Sequence, residues 1–197
     1  MTKTRGILLA GVGGQGILRA SDILCRAFMA AGLDVKKSEV HGMAQRGGCV
    51  TSHVRYGDHV HSPLAKKNDI DILVSFERMD TLRYLDYVNE SGTIIINTED
   101  IYPPAVNLGE TLYPTNIIET VHLFFKKIVS VDAVTLALRA GNRHTVNTVI
   151  LGALSTCLDL SLGLWEKTLN ESFPKQLTGV NRKAFRLGRD AHKLPLS

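Results

Sequence analysis

Two clusters within the first fifty residues have the types and spacing for chemistry. The first is Gly11-Val12-Gly13-Gly14-Gln15-Gly16. Glycines let the backbone turn sharply. Here they separate an apolar run, residues 6–10, from a segment in which Ile17, Ala20, Leu24, Ala27, Phe28 and Ala31 recur at helical spacing. A strand, a glycine turn and a helix in succession point the free amides of the helix's first turn over the loop, where they favour an anion. The second cluster is Glu39-Val40-His41-Gly42-Met43-Ala44-Gln45-Arg46-Gly47-Gly48. It offers a base or proton donor (His41), a fixed cation (Arg46), a side-chain amide (Gln45) and three glycines. Arg46 suits a carboxylate or phosphate. Loops at the carboxyl ends of strands in open α/β sheets overlie the ligand crevice. Two such loops on neighbouring strands are expected to line one pocket. Gln45 and Arg46 could equally hold the loop together or face a partner subunit, and residue types leave these readings open.

Gly11, Gly13 and Gly16 also satisfy the dinucleotide fingerprint in its strand-to-helix context. That motif calls for an acid at the end of the second strand. Glu39 lies close to that place and Asp34 falls too early. The His-Gly loop directly after Glu39, and Gln15 inside the turn, both depart from it. An autonomous NAD- or FAD-binding oxidoreductase is therefore an alternative reading, and a bare turn permitting close helix packing is another. Cys25, Cys49 and Cys157 are too far apart for a CxxC pair or for iron–sulfur or zinc spacing, and Cys25 and Cys157 read as small buried residues of helices. His41, His53, His59 and His61 lack the spacing of a helical ligand pair; His59 and His61 suit an exposed edge better than a metal. No nucleophile–base–acid triad is visible. Residue chemistry thus describes a chain that binds an anionic ligand without a complete catalytic apparatus and without a metal of its own.

The elements that must position these clusters follow from periodicity. Strands are expected at residues 6–10, 33–40, 49–56, 71–76, 92–97 and 127–132, and helices at 17–31, 77–87, 117–125 and 133–140. The first strand, helix and second strand read as a right-handed crossover with parallel strands. Residues 49–56 alternate as a half-exposed strand, with residues 60–64 as a short returning edge strand, antiparallel because the link is too short for a helix. Residues 98–115, with Pro103, Pro104 and Pro114, read as loop. The last third becomes helical, around 146–158, 164–173 and 177–187, with Pro174 between the last two. The class is α/β: a mostly parallel open sheet covered by helices, with an antiparallel edge and a C-terminal helical cap over 145–197 that is not independent. A single domain spanning 1–197 is expected.

Net charge is +4, but the bases are scattered and no stretch interleaves them with aromatics, so neither nucleic acid nor membrane is an expected partner. Unpaired cysteines suit a reducing compartment. With no signal-peptide pattern and no apolar run of membrane length, a cytoplasmic location is expected.

Taken together, the GVGGQG turn, the segment Ser38-Glu39-Val40-His41-Gly42-Met43-Ala44-Gln45-Arg46-Gly47-Gly48 and Ser52-His53-Val54-Arg55 resemble the beta subunits of indolepyruvate ferredoxin oxidoreductases. More broadly they resemble the gamma domain of the 2-oxoacid:ferredoxin oxidoreductases, a Rossmann-like domain. Ser62-Pro63-Leu64, Asn147 with Leu151-Gly152-Ala153-Leu154, and Asn181-Arg182-Lys183-Ala184-Phe185 with Gly188 extend the likeness over most of the chain. The resemblance implies the small subunit of an enzyme that oxidatively decarboxylates arylpyruvates with coenzyme A, giving acyl-CoA, CO2 and reduced ferredoxin. It further implies that thiamine diphosphate, Mg and the iron–sulfur clusters reside on a large alpha subunit, and that ferredoxin accepts the electrons. Gly11, Gly13, Gly14, Gln15, Gly16, Gln45, Arg46, Gly47 and Gly48 would then line an interface pocket, with His41 and Arg46 the candidates for a direct part in the reaction. A gamma subunit of a pyruvate or 2-oxoglutarate oxidoreductase, and a docking subunit without a catalytic role, are the alternatives.

Overall fold

The structure, a computed structural model, describes residues 4–42 and 48–191. In chain order the strands are β1 (Arg5–Val12), β2 (Asp34–His41), β3 (Cys49–Gly57), β4 (Ile70–Ser75), β5 (Val88–Asn97) and β6 (Lys127–Val131). The helices are α1 (Ile17–Ala30), α2 (Arg78–Tyr84), α3 (Pro104–Asn107), α4 (Ile117–Phe124), α5 (Ala133–Ala140), α6 (Val146–Ser155), α7 (Leu162–Ser172) and α8 (Lys175–Asp190). All six strands join one sheet in the order β2-β3-β1-β4-β5-β6. The β1–β4, β4–β5 and β5–β6 ladders are parallel, and β3 runs antiparallel to both β1 and β2. The expected class, a mostly parallel sheet with an antiparallel edge under helices, is the one observed.

The apolar run of β1 is buried from Gly6 to Gly11 because helices cover both faces of the sheet. On one face Ile7, Leu9, Val54, Ile72 and Val74 meet α1, α5, α6, α7 and α8. On the other Leu8, Ala10, Leu73, Ile94 and Ile96 meet α2 and α4. The predicted stripe of α1 faces inward, and Phe28 stacks on Tyr56 with ring centroids 3.8 Å apart. Gly32 follows α1 in a left-handed conformation, as expected of a helix stop.

Three expectations fail. First, β2 shares the direction of β1 but is not its neighbour, because β3 folds back between them and pairs with each over eight positions. Second, β3 is not half-exposed. Being internal to the sheet, it buries Thr51, Ser52, His53 and Val54 on both faces. Third, residues 60–64 form no edge strand. Val60 is buried, and its amide donates to the Asp34 carboxylate at 2.7 Å rather than to a ladder. Smaller departures concern α3, which interrupts the expected loop; α8, which runs longer than expected at both ends and follows directly on Pro174; and Cys157, which lies just beyond α6.

The last three helices share the core of α1 rather than lying apart from it. Helices α6 and α8 cross with their backbones nearly touching. A Cβ on Gly188 would sit 1.9 Å from the Val149 carbonyl oxygen, and one on Gly152 would sit 2.1 Å from that of Phe185. Beside this crossing the Thr148 hydroxyl donates to Asn181 Oδ1 at 2.7 Å. Gly188→Ala should therefore destabilise the chain by about 3 kcal/mol through overpacking. Gly179→Ala, on the same helix where a Cβ meets nothing within 4 Å, should be neutral or stabilising. Urea unfolding of the two variants checks this.

Candidate functional site

The connection from β1 through α1 to β2 lies on one face of the sheet, and that from β4 through α2 to β5 on the other. The carboxyl ends of β1 and β4 thus flank the topological switch point, where open sheets form their crevice. Side-chain amides brace this edge. Gln15 Oε1 accepts from the Val12 amide at 2.8 Å, and its Nε2 donates to the Phe76 carbonyl at 2.8 Å. Asn97 Nδ2 donates to the same carbonyl at 2.9 Å, while its Oδ1 accepts from Ala133 at the start of α5, at 3.1 Å. Two amides therefore link β1, β4, β5 and α5. Gly11 makes room for the brace: a Cβ there would fall 2.6 Å from Gln15 Oε1 and 2.7 Å from Phe76 Cβ. Gly16 caps α1 in a left-handed conformation with φ of 79°.

The crevice encloses about 200 Å³ and is lined in part by Val12, Cys49, Glu77, Met79, Arg83 and Tyr102. Cys49 enters it because β3 starts opposite Val12. Its Sγ lies 3.0 Å from Tyr84 Oη, and burial pushes the thiol pKa up, so it is a protonated thiol and not a ready nucleophile. Glu77 is buried where β4 passes into α2 and caps that helix, accepting from the Asp80 amide at 2.5 Å and the Met79 amide at 3.0 Å. Tyr113 donates to it at 2.9 Å. Asp80, fully buried, accepts from Arg83 at 2.7 Å. Burial raises the Glu77 pKa above its ordinary 4.5, and the nearby Asp80 carboxylate adds to this. The bonds from Met79, Tyr113 and Asp80 oppose the rise without cancelling it.

The sequence-predicted residues divide. The turn at Gly11, Gly13, Gly14, Gln15 and Gly16 stands at the switch point, and the Gly13 amide donates to the Gly48 carbonyl at 2.9 Å. The two glycine clusters therefore do meet, though it is β3 that carries Gly48 there and not a β1–β2 neighbourhood. Gln15 faces inward as part of the brace. His41 ends β2, opposite Val50. Gln45, Arg46 and Gly47 lie outside the described residues. Cys49, Glu77, Asp80, Arg83 and Tyr113 were missed by the sequence reading. Only Glu77 carried a signal, as an acid placed where a strand ends and a helix begins.

The strand order also weighs against a self-sufficient dinucleotide site. Glu39 stands on β2, two strands from the glycine turn, a separation of about 9–10 Å. It is paired with Lys37. The amides of Val12, Gly13 and Gln15 are engaged within the protein. Among the described residues no three His, Cys, Asp or Glu side chains gather as a metal site. None of their helices is long and apolar enough to cross a membrane.

Fold and site define an open-sheet α/β chain with a braced glycine turn at its switch point and an acid-floored crevice beside it. The chain belongs to the pyruvate ferredoxin/flavodoxin oxidoreductase family, whose model matches residues 6–191. It is 38% identical to the indolepyruvate oxidoreductase subunit IorB of Pyrococcus horikoshii over 97% of each chain. Among solved structures, the subunit PORC of pyruvate oxidoreductase from Thermotoga maritima superposes with a TM-score of 0.73 at 25% identity, covering 95% of this chain and 96% of that one. The 2-oxoglutarate:ferredoxin oxidoreductase of Magnetococcus marinus superposes on all of this chain with 32% of its own, at a TM-score of 0.74 and 21% identity. This last likeness is one of fold.

Gln15→Leu should leave the Val12 amide without its acceptor and cost about 1–3 kcal/mol, read in chemical denaturation. Glu77 gives a pH signature. A carboxyl whose pKa is raised on folding binds its proton more tightly folded than unfolded. Its contribution to stability is full below about 4.5 and declines as pH rises through the raised value. Glu77→Gln should flatten that decline in a pH series of unfolding curves, whatever constant offset the altered cap brings.

Proposed function

We propose that this chain is the small subunit of an indolepyruvate-type 2-oxoacid:ferredoxin oxidoreductase. Carrying the reading is the 38% identity, over nearly the whole of both chains, to a protein named as an indolepyruvate oxidoreductase subunit. The HGMAQRGG segment supports the same branch by resemblance. In this reading the complex oxidatively decarboxylates an arylpyruvate with coenzyme A to an acyl-CoA and CO2 and passes two electrons to ferredoxin. Thiamine diphosphate with its Mg, and the iron–sulfur clusters, sit on the large partner subunit. That assignment suits a chain whose cysteines are distributed among α1, the start of β3 and the end of α6. The contribution of this chain is a wall: the glycine turn and the Gly48 end of the second loop close the active site at the subunit boundary and guide coenzyme A. Within it, His41 and Arg46 are the candidates for contact with the reacting groups. A cytoplasmic location follows from that chemistry.

Reconstitution tests the reading. The large subunit with thiamine diphosphate, coenzyme A, ferredoxin and indolepyruvate should reduce ferredoxin only when this chain is added. Equal rates with and without it would refute the proposal. Arg46→Ala should lower turnover without dissociating the complex, as followed by size-exclusion chromatography. If the complex is active with pyruvate or 2-oxoglutarate and inactive with arylpyruvates, the chain serves another branch of the family.

A further inference from the structure

The crevice at the switch point has the lining of a ring-binding site. Val12, Met79, Ile101, Tyr102 and Pro103 give it apolar and aromatic walls. Tyr102 is 51% exposed, and its ring meets that of Tyr113 edge-on with centroids 4.9 Å apart. At about 200 Å³ the space falls below the ~300 Å³ at which pockets for whole drug-sized ligands begin, so it suits one flat ring system and not an entire cofactor.

The polar side of the crevice selects further. Its cation, Arg83, is already bonded to Asp80, which leaves little attraction for an anion. One carboxylate, that of Glu77, stands at this side instead. Glu77, 1% exposed, accepts three hydrogen bonds, from two amides and Tyr113, of about four that a carboxylate can take. Asp80, fully buried and not part of the lining, holds two residues that are: its Oδ1 lies 2.7 Å from the Arg83 guanidinium and 3.8 Å from Cys49 Sγ.

We propose that this crevice binds a flat, neutral heteroaromatic ring carrying an N–H donor. The ring lies against Met79 and Tyr102, and its N–H points to the Glu77 carboxylate, which has room for a fourth hydrogen bond. The proposal rests on the functional reading above for the source of the ring. The indole side chain of an arylpyruvate has this chemistry, and so does the adenine of a nucleotide co-substrate. Under it Tyr102 and Met79 are specificity-determining residues on a chain that does not itself carry the reacting cofactor.

Binding to the full chain, without partner or turnover, tests this separately from the assay of function. The probes are indole, adenosine and benzothiophene, the last an isostere of indole without the N–H, followed by ligand-observed NMR titration. Saturable binding of indole or adenosine supports the proposal, and the one that binds identifies the source. Where indole is the ring, it should bind about tenfold more tightly than benzothiophene, equivalent to about 1.4 kcal/mol. Tyr102→Ala, at an exposed position that should not impair folding, should weaken the bound ring several-fold. Met79→Trp should block it by filling the crevice. The proposal falls if neither ring saturates, if benzothiophene binds as tightly as indole, or if Tyr102→Ala leaves affinity unchanged. Loss of ring binding with an active reconstituted complex would remove this inference alone. Ring binding with an inactive complex would remove the functional reading alone.

Discussion

The site depends on how the carboxyl edge of the sheet is held. At that edge the strands end, the ladder stops, and backbone groups of Val12 and Phe76 would lack partners inside the protein. Gln15 accepts from the Val12 amide and shares the Phe76 carbonyl with Asn97, which carries the connection on to α5. A buried backbone polar group left unpaired is costly, so the amide brace holds the ends of β1 and β4 together beyond their ladder. The turn, the start of α1 and the crevice all take their positions from it. Glu99 adds to the cluster, its carboxylate 3.5 Å from Gln15 Nε2 and 3.4 Å from Asn97 Nδ2.

A second constraint comes from behind. Asn147, at the start of α6, reaches the Gly16 carbonyl at 3.4 Å, so the C-terminal helices touch the same turn that opens the chain. They are seated by the α6–α8 crossing, where Gly152 and Gly188 let two backbones meet without side chains between them. Such an approach puts the backbone atoms of the two helices in direct van der Waals contact. Asn147, Gly152, Asn181 and Gly188 all belong to the family-like landmarks of the sequence, and here they acquire physical tasks: Asn147 contacts the turn, Asn181 anchors Thr148, and the glycines form the crossing.

The crevice combines a soft wall and an acidic floor, in a chain of net positive charge. Its acid, Glu77, is satisfied locally, by two helix amides and Tyr113, and not by the overall charge. Net charge therefore says little about what this site accepts. The pairing of groups within a few ångströms decides it, since interactions beyond a Debye length of about 8 Å are screened at physiological salt.

How much of this was legible follows from range. The apolar run before Gly11, the 3.6-residue stripe of α1 and the glycine turn between them are local patterns, and they determined β1, α1 and the place of the turn from the sequence alone. The same holds for α5, read at 133–140 and found there, because Asp132 caps its start and a left-handed Gly141 ends it. The sequence could not say that β3 would enter between β1 and β2. Alternation in residues 49–56 fits an edge or an internal strand equally, and the choice is made by which neighbours bury Thr51 and His53. Nor could it assemble the crevice. Cys49, Glu77 and Tyr113 are distant in sequence and meet only because β3 starts beside the end of β1 and Tyr113 returns to the carboxylate that caps α2. The sequence by itself determined most of the elements and the glycine turn, though not the fate of residues 60–64 or the short α3, since those it read correctly depend on residues a few positions apart. The tertiary structure alone decided strand order and the membership of the site, because both are set by contacts that the chain makes only once its hydrophobic faces are buried.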